Sequence, residues 1–224
     1  MPTASLMTHS EYFFRCLNGP WLEVCTAEIV LDFDAGIWSI FQHWLSTGVA
    51  TPWPCIQAAP LRPGSNNTIS SNSETRETWK EYNGYPRLSA DQNMASINHL
   101  LNTWILADYL LSPTFQNALL DELSCAYEAF YYTSQPRALP PLSHLQNICD
   151  HTTHRGQDAP LRRMVGDLVL YGISRGLLVR DEELRGWMER NGVLGWGWLE
   201  EGIMGSGCWP APWNRWRGYY HLRG

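Results

Sequence analysis

Ser112-Pro113 interrupts the most strongly patterned stretch of the chain, residues 97–132, and divides it into two helices joined by a sharp corner. In the first half, Ile97, Leu100, Leu101, Trp104, Ile105 and Leu111 recur at helical spacing and form one apolar stripe. Proline disfavours helical geometry in the residue before it, so this helix should end near Leu111. Serine is a good N-cap, and proline suits the first helical position, where its missing N–H is no loss. The second helix then carries Phe115, Ala118, Leu119, Leu123, Tyr127 and Phe130 on one face. Asp108 falls on the first stripe. A buried carboxylate needs a partner, and the expected one is the N-terminus of the following helix, with its free N–H groups and positive dipole end.

An apolar share of 44% is enough for a core over 224 residues, sufficient for one domain with appendages or two small ones. A net charge of −6 argues against a nucleic-acid surface spanning the whole molecule. Arg215-Trp216-Arg217-Gly218-Tyr219-Tyr220 mixes cations with aromatics as single-strand binders do, but it is one short patch on an acidic chain. No apolar run approaches the roughly 20 residues of a membrane span. Residues 1–10 lack a signal-peptide core, so the expectation is an intracellular protein, cytoplasmic or nuclear. The six cysteines show no CxxC pairing and read as free thiols.

Taken in order, Ser10 can cap a short helix through Tyr12, Phe13, Phe14 and Leu17, stopped by Asn18-Gly19-Pro20. Glu28-Ile29-Val30-Leu31 is a β-prone run and an expected strand. Asp32 or Asp34 can cap a helix with Ile37, Ile40, Phe41, Trp44 and Leu45 as its stripe, and Gly48 is its expected stop. Residues 49–95 are rich in proline, serine and asparagine and read as a long insertion, disordered in part, with one candidate docking element around Trp79, Tyr82 and Tyr85. Closure entropy grows slowly with loop length. Deleting residues 60–74 should therefore leave a single cooperative transition in a denaturant melt; loss of cooperativity would contradict the insertion reading. Beyond Tyr132, Ser143 can cap a helix with Leu145, Ile148 and Cys149. Pro160 opens an amphipathic helix carrying Leu161, Met164, Val165, Leu168, Val169 and Ile173, which Gly176 ends. Asp181 should cap a last helix with Leu184, Trp187 and Met188. Residues 193–224 form a Gly/Trp-rich tail without helical or strand period, either loose or laid on the helical layer.

Several of these segments resemble the BTB/POZ-domain proteins of fungi. Trp104-Ile105-Leu106-Ala107-Asp108-Tyr109-Leu110-Leu111-Ser112-Pro113, followed by Phe115-Gln116-Asn117-Ala118-Leu119-Leu120-Asp121, is similar to that family's "vLADkLliPxLqNaviD" stretch. His9-Ser10-Glu11-Tyr12-Phe13, Trp21-Leu22-Glu23, Ile29-Val30-Leu31 and Phe41-Gln42-His43-Trp44-Leu45-Ser46-Thr47-Gly48 follow the order of its earlier block. Ala159-Pro160-Leu161-Arg162-Arg163-Met164-Val165-Gly166-Asp167-Leu168 resembles the segment after its core. The resemblance implies a mostly helical α+β fold: a BTB/POZ-like domain over residues 1–132, interrupted at 49–95, then a helical extension over 133–192. Because only nine residues precede Ser10, the family's opening β-hairpin and helix are expected to be missing, making this a truncated form.

The chemistry-bearing residues are few. Cys149, His151 and His154 form a C-x-H-x-x-H cluster that could supply three ligands to zinc, without a fourth at a telling spacing. His151 beside Asp150 could do acid–base work, but no nucleophile motif, phosphate loop or carboxylate pair accompanies it. Solvated loop residues are the simpler reading, and Arg162-Arg163 read as a solvated helix face. The resulting expectation is a non-enzymatic protein–protein interaction module without cofactor. It would self-associate or, as the resemblance implies, link a partner to a cullin-type ubiquitin ligase. The alternative is a metal-binding or catalytic protein built on Cys149, His151 and His154. Without the opening hairpin and helix, the expected association surface is Tyr12, Phe13 and Phe14 with the strand edge at Ile29, Val30 and Leu31. Trp44, Trp104, Ile105, Phe115, Leu119, Leu161 and Leu168 are the expected core.

Overall fold

A computed structural model of the chain describes residues 3–20, 29–50, 89–134, 138–152, 159–177, 182–191, 211–212 and 220–222. The described residues are mostly helical: α1 (Thr3–His9), α2 (Glu11–Asn18), α3 (Ala35–Thr47), α4 (Ala90–Tyr109), α5 (Pro113–Thr133), α6 (Leu142–His151), α7 (Pro160–Ser174) and α8 (Glu182–Asn191). The expected caps do much of this work. Ser10 accepts from Phe13 N at the start of α2 (3.2 Å), and Asp34 accepts from Gly36 N at the start of α3 (2.7 Å). Gly48, at φ 74°, closes α3 in the left-handed conformation that glycine adopts without steric cost.

Helices α4 and α5 are the expected pair joined at a corner, and they pack together as a hairpin. Phe115, Leu119, Leu123, Tyr127 and Phe130 line the buried face of α5 against Ile97, Leu100, Leu101 and Trp104 of α4. At its open end Asn93 Nδ2 donates to Thr133 Oγ1 at 2.8 Å, which lets a polar residue sit buried near the start of α4. Helix α3 packs on α4, and α1 on both α2 and α3. An aromatic chain continues the core across them: Phe13 against Phe41, Phe41 against Phe115, and Trp44 against Phe115 with ring centroids 4.7 Å apart. Leu161, Met164, Val165, Leu168 and Val169 of α7 extend the same core toward α6.

Several expectations need correction. Helix α4 begins at Ala90, so the insertion ends sooner than residue 95; Ser89 and Gln92 form a capping box, each side chain bonding the other's backbone N–H. Ile29, Val30 and Leu31 are not a strand. A strand needs a partner ladder, and no strand occurs among the described residues. Ile29 and Leu31 instead lay their side chains on the core. Ile105 is half-buried. Ser143 lies inside α6, which starts after Pro141 without a side-chain cap. Glu28, Trp79, Tyr82, Tyr85 and Asp181, and most of the tail with its tryptophans, lie outside the described residues.

Arg162 corrects the solvated-face reading. Its guanidinium donates to Cys149 O at 2.7 Å, to Thr152 Oγ1 at 3.1 Å and to Asn191 O at 3.0 Å. One cation thus satisfies carbonyls at the ends of α6 and α8, where the helix dipole favours positive charge. Beside it, the Gln146 and Asn191 side-chain amides bond each other reciprocally.

A buried polar pair ties α6 to the hairpin. Tyr127 Oη lies 3.0 Å from His144 Nε2. Burial pulls the His144 imidazole down to about 4 from its ordinary value of 6.5. The folded state therefore binds this proton less readily than the unfolded state. Stability from this group is complete above pH ~6.5 and is lost as pH falls toward 4, by up to roughly 2–3 kcal/mol. Denaturant midpoints at pH 7 and pH 4.5 should show that loss, and His144→Gln should flatten it. Parallel pH profiles for the two proteins would contradict this assignment.

Candidate functional site

The chain's most specific junction joins its two corners. Ser10, between α1 and α2, donates its hydroxyl to Leu110 O at 2.6 Å, and Ser112, between α4 and α5, donates to His9 O at 2.5 Å. Backbone bonds from Glu11 N to Leu111 O and from Tyr12 N to Leu110 O, both 3.4 Å, complete the lock. Ser112 occupies the N-cap position of α5 but makes no side-chain cap bond, because its hydroxyl is committed to the neighbouring corner. Two of the segments that carry the sequence resemblance are thus packed onto each other.

The corner at the end of α4 is unusual in its residue choice. Ser112 N bonds Ala107 O at 3.0 Å and Leu111 N bonds Asp108 O at 3.1 Å, the two-bond Schellman closure. That closure needs a left-handed residue, and Leu111 supplies it at φ 50°. Helix α7 ends with the same pair of bonds, Leu177 N to Gly172 O and Gly176 N to Ile173 O, but there Gly176 takes the left-handed position at φ 69°. A left-handed residue with a Cβ costs roughly 1–2 kcal/mol. The chain spends it at Leu111 on a side chain that remains 36% exposed.

Around Leu111 lies an open groove of about 560 Å³, lined by Phe33, Trp104, Ile105, Asp108, Tyr109, Leu111 and His151. Its walls are largely apolar. Tyr109 is 49% exposed and is braced by Tyr12 (ring centroids 5.0 Å) and Phe33 (5.5 Å). The hydrogen bond to Tyr109, together with partial burial, raises the Tyr12 phenol well above its ordinary range, so Tyr12 stays neutral. Asp108 is half-buried and accepts from Gln116 Nε2 at 2.8 Å; the next helix supplies its partner, through a side chain of its first turn. His151 donates from Nδ1 to Asn147 O at 2.8 Å.

The sequence-derived surface residues are dispersed. Phe13 is a core residue at 2% exposure. Ile29 and Leu31 are half-buried, whereas Phe14 and Val30 are exposed and Tyr12 lies against the groove wall. The candidate ligands are not brought together: Cys149 points into the core, where burial pushes its thiol up to about 11, and His151 sits on the exposed side of α6. His154 lies outside the described residues. Sequence reasoning passed over Phe33 and Tyr109 and assigned Leu111 to the core stripe. The signal available was a leucine where a helix stop before Ser-Pro would favour glycine.

No family model, curated protein or solved structure matches the chain. No helix among the described residues is long and apolar enough to cross a membrane.

Proposed function

We propose that this chain is a non-enzymatic protein–protein interaction module of BTB/POZ type, cytoplasmic or nuclear, that self-associates through the groove face at the α4–α5 corner. The sequence resemblance implies the BTB/POZ class and its link to a cullin-type ubiquitin ligase. The observation that carries the surface is Leu111: a strained, partly exposed leucine at a position that glycine fills at no steric cost elsewhere in the same chain. Conformational strain kept for an exposed apolar side chain points to a use for that side chain outside the fold. Tyr109, Tyr12 and Phe33 extend the apolar surface around it, and large exposed apolar surfaces mark interaction sites.

Light scattering across a dilution series tests this reading. The wild type should gain mass with concentration. Leu111→Gly relieves the left-handed strain and gives up partial packing, so its stability should change by less than about 1 kcal/mol while association weakens. A compact wild-type monomer at all concentrations, binding no apolar dye, would overturn the proposal. Elemental analysis of the purified protein separates it from the metal-binding alternative at Cys149, His151 and His154.

A further inference from the structure

Three consecutive residues of the tail are each held by a different side chain of the bundle. Tyr220 is buried and donates its hydroxyl to Asp167 Oδ2 of α7 at 2.6 Å. His221 Nε2 lies 3.0 Å from Asp121 Oδ1 of α5. Leu222 is read through its backbone: its N–H donates to Asn117 Oδ1 at 2.7 Å, and its carbonyl accepts from Asn117 Nδ2 at 3.4 Å. Asn117 and Asp121 lie one helical turn apart on α5 and meet successive residues of the bound segment. With the tail in place Asp167 is 5% exposed, and Asn117 and Asp121 are half-buried.

A side-chain amide that pairs with both the N–H and the C=O of one residue recognises extended backbone, and the flanking carboxylates select what stands beside it. We infer that the face of α5 and α7 carrying Asn117, Asp121 and Asp167 is a peptide-recognition site for a Tyr-His-aliphatic segment, occupied in cis by Tyr220-His221-Leu222. The same site accepts such a segment in trans once the cis copy is released. The tethered copy competes at an effective concentration on the order of millimolar, so trans binding to the intact chain is masked. This site shares no lining residue with the corner groove, and neither inference depends on the other.

The test uses the full chain and a fluorescent peptide spanning residues 211–222. His221→Ala with Leu222→Pro weakens the cis copy by removing the imidazole and the N–H that Asn117 accepts, while the receiving side chains stay intact. This variant should bind the peptide at least tenfold more tightly than the wild type, and adding Asn117→Ala should abolish that gain. Equal affinity for the variant and the wild type, or binding indifferent to Asn117, would overturn the inference. A measurement that leaves the tail sequence unchanged stands beside it. Asn117→Ala alone should speed deuterium uptake of residues 220–222 severalfold, with α6 and α8 unaltered, and unchanged uptake there would also overturn it.

Discussion

Leu119→Ala should destabilise the protein by about 2–5 kcal/mol, the range for truncating a leucine in a core that cannot fully collapse. Leu119 has no exposed surface and sits midway along the inner face of α5, between Phe115 and Leu123. Truncation removes methyl groups from a close-packed interior, and the backbones of two long helices cannot close the space without moving the aromatic residues beside them. A denaturant melt gives the value. A loss below half a kcal/mol would mean that this face of α5 does not pack on α4.

Arg162→Ala should cost about 2–3 kcal/mol, because hydrogen bonds from charged donors contribute more than neutral ones and three acceptors lose a charged donor together. The carbonyls of Cys149 and Asn191 close different helices, so the loss should spread: faster hydrogen exchange at the ends of both α6 and α8, with the α4–α5 hairpin unchanged. Arg162→Lys keeps the charge but presents a single ammonium in place of a fork, and should recover less than half of the loss. If Arg162→Ala melts with the wild type, the clamp is not a source of stability.

Much of the helical frame was legible because helix boundaries are local chemistry. Ser10, Asp34, Gly48, Pro113, Pro160 and Gly176 each mark an end through a cap or a backbone restriction that involves only near neighbours. The start of α4 was obscured because Asn93 and Ser96 are buried polar residues that break the apolar period. Asn93 is satisfied by Thr133, forty positions away in sequence. The strand expected at Ile29, Val30 and Leu31 failed for a related reason: β propensity describes a half-buried surface, and a run of this length becomes a strand only if another pairs with it. Arg162 looked solvated because its acceptors are main-chain carbonyls of distant helices, which no side-chain pattern reveals.

The groove and the tail site were less legible still. Apolar periodicity assigns Leu111 to the core stripe, yet the left-handed turn at the end of α4 swings it out of register with that stripe. The expected surface at Phe13 followed from the same limitation: adjacent aromatic residues in a short helix point in different directions, so Phe13 is buried while Phe14 is exposed. The pairing of Tyr220 with Asp167 joins residues far apart in sequence through side chains that are unremarkable in composition.

Hydrogen–deuterium exchange of the wild-type protein at two concentrations, well below and well above the onset of association, tests the central claim most directly. The corner lock and the groove beside it should become the face that is covered. Protection should rise with concentration in peptides spanning Tyr12 and residues 105–111, and stay constant along α8. Exchange that is independent of concentration in residues 105–111, or protection gained only elsewhere on the molecule, would contradict the assignment of this face as the association surface.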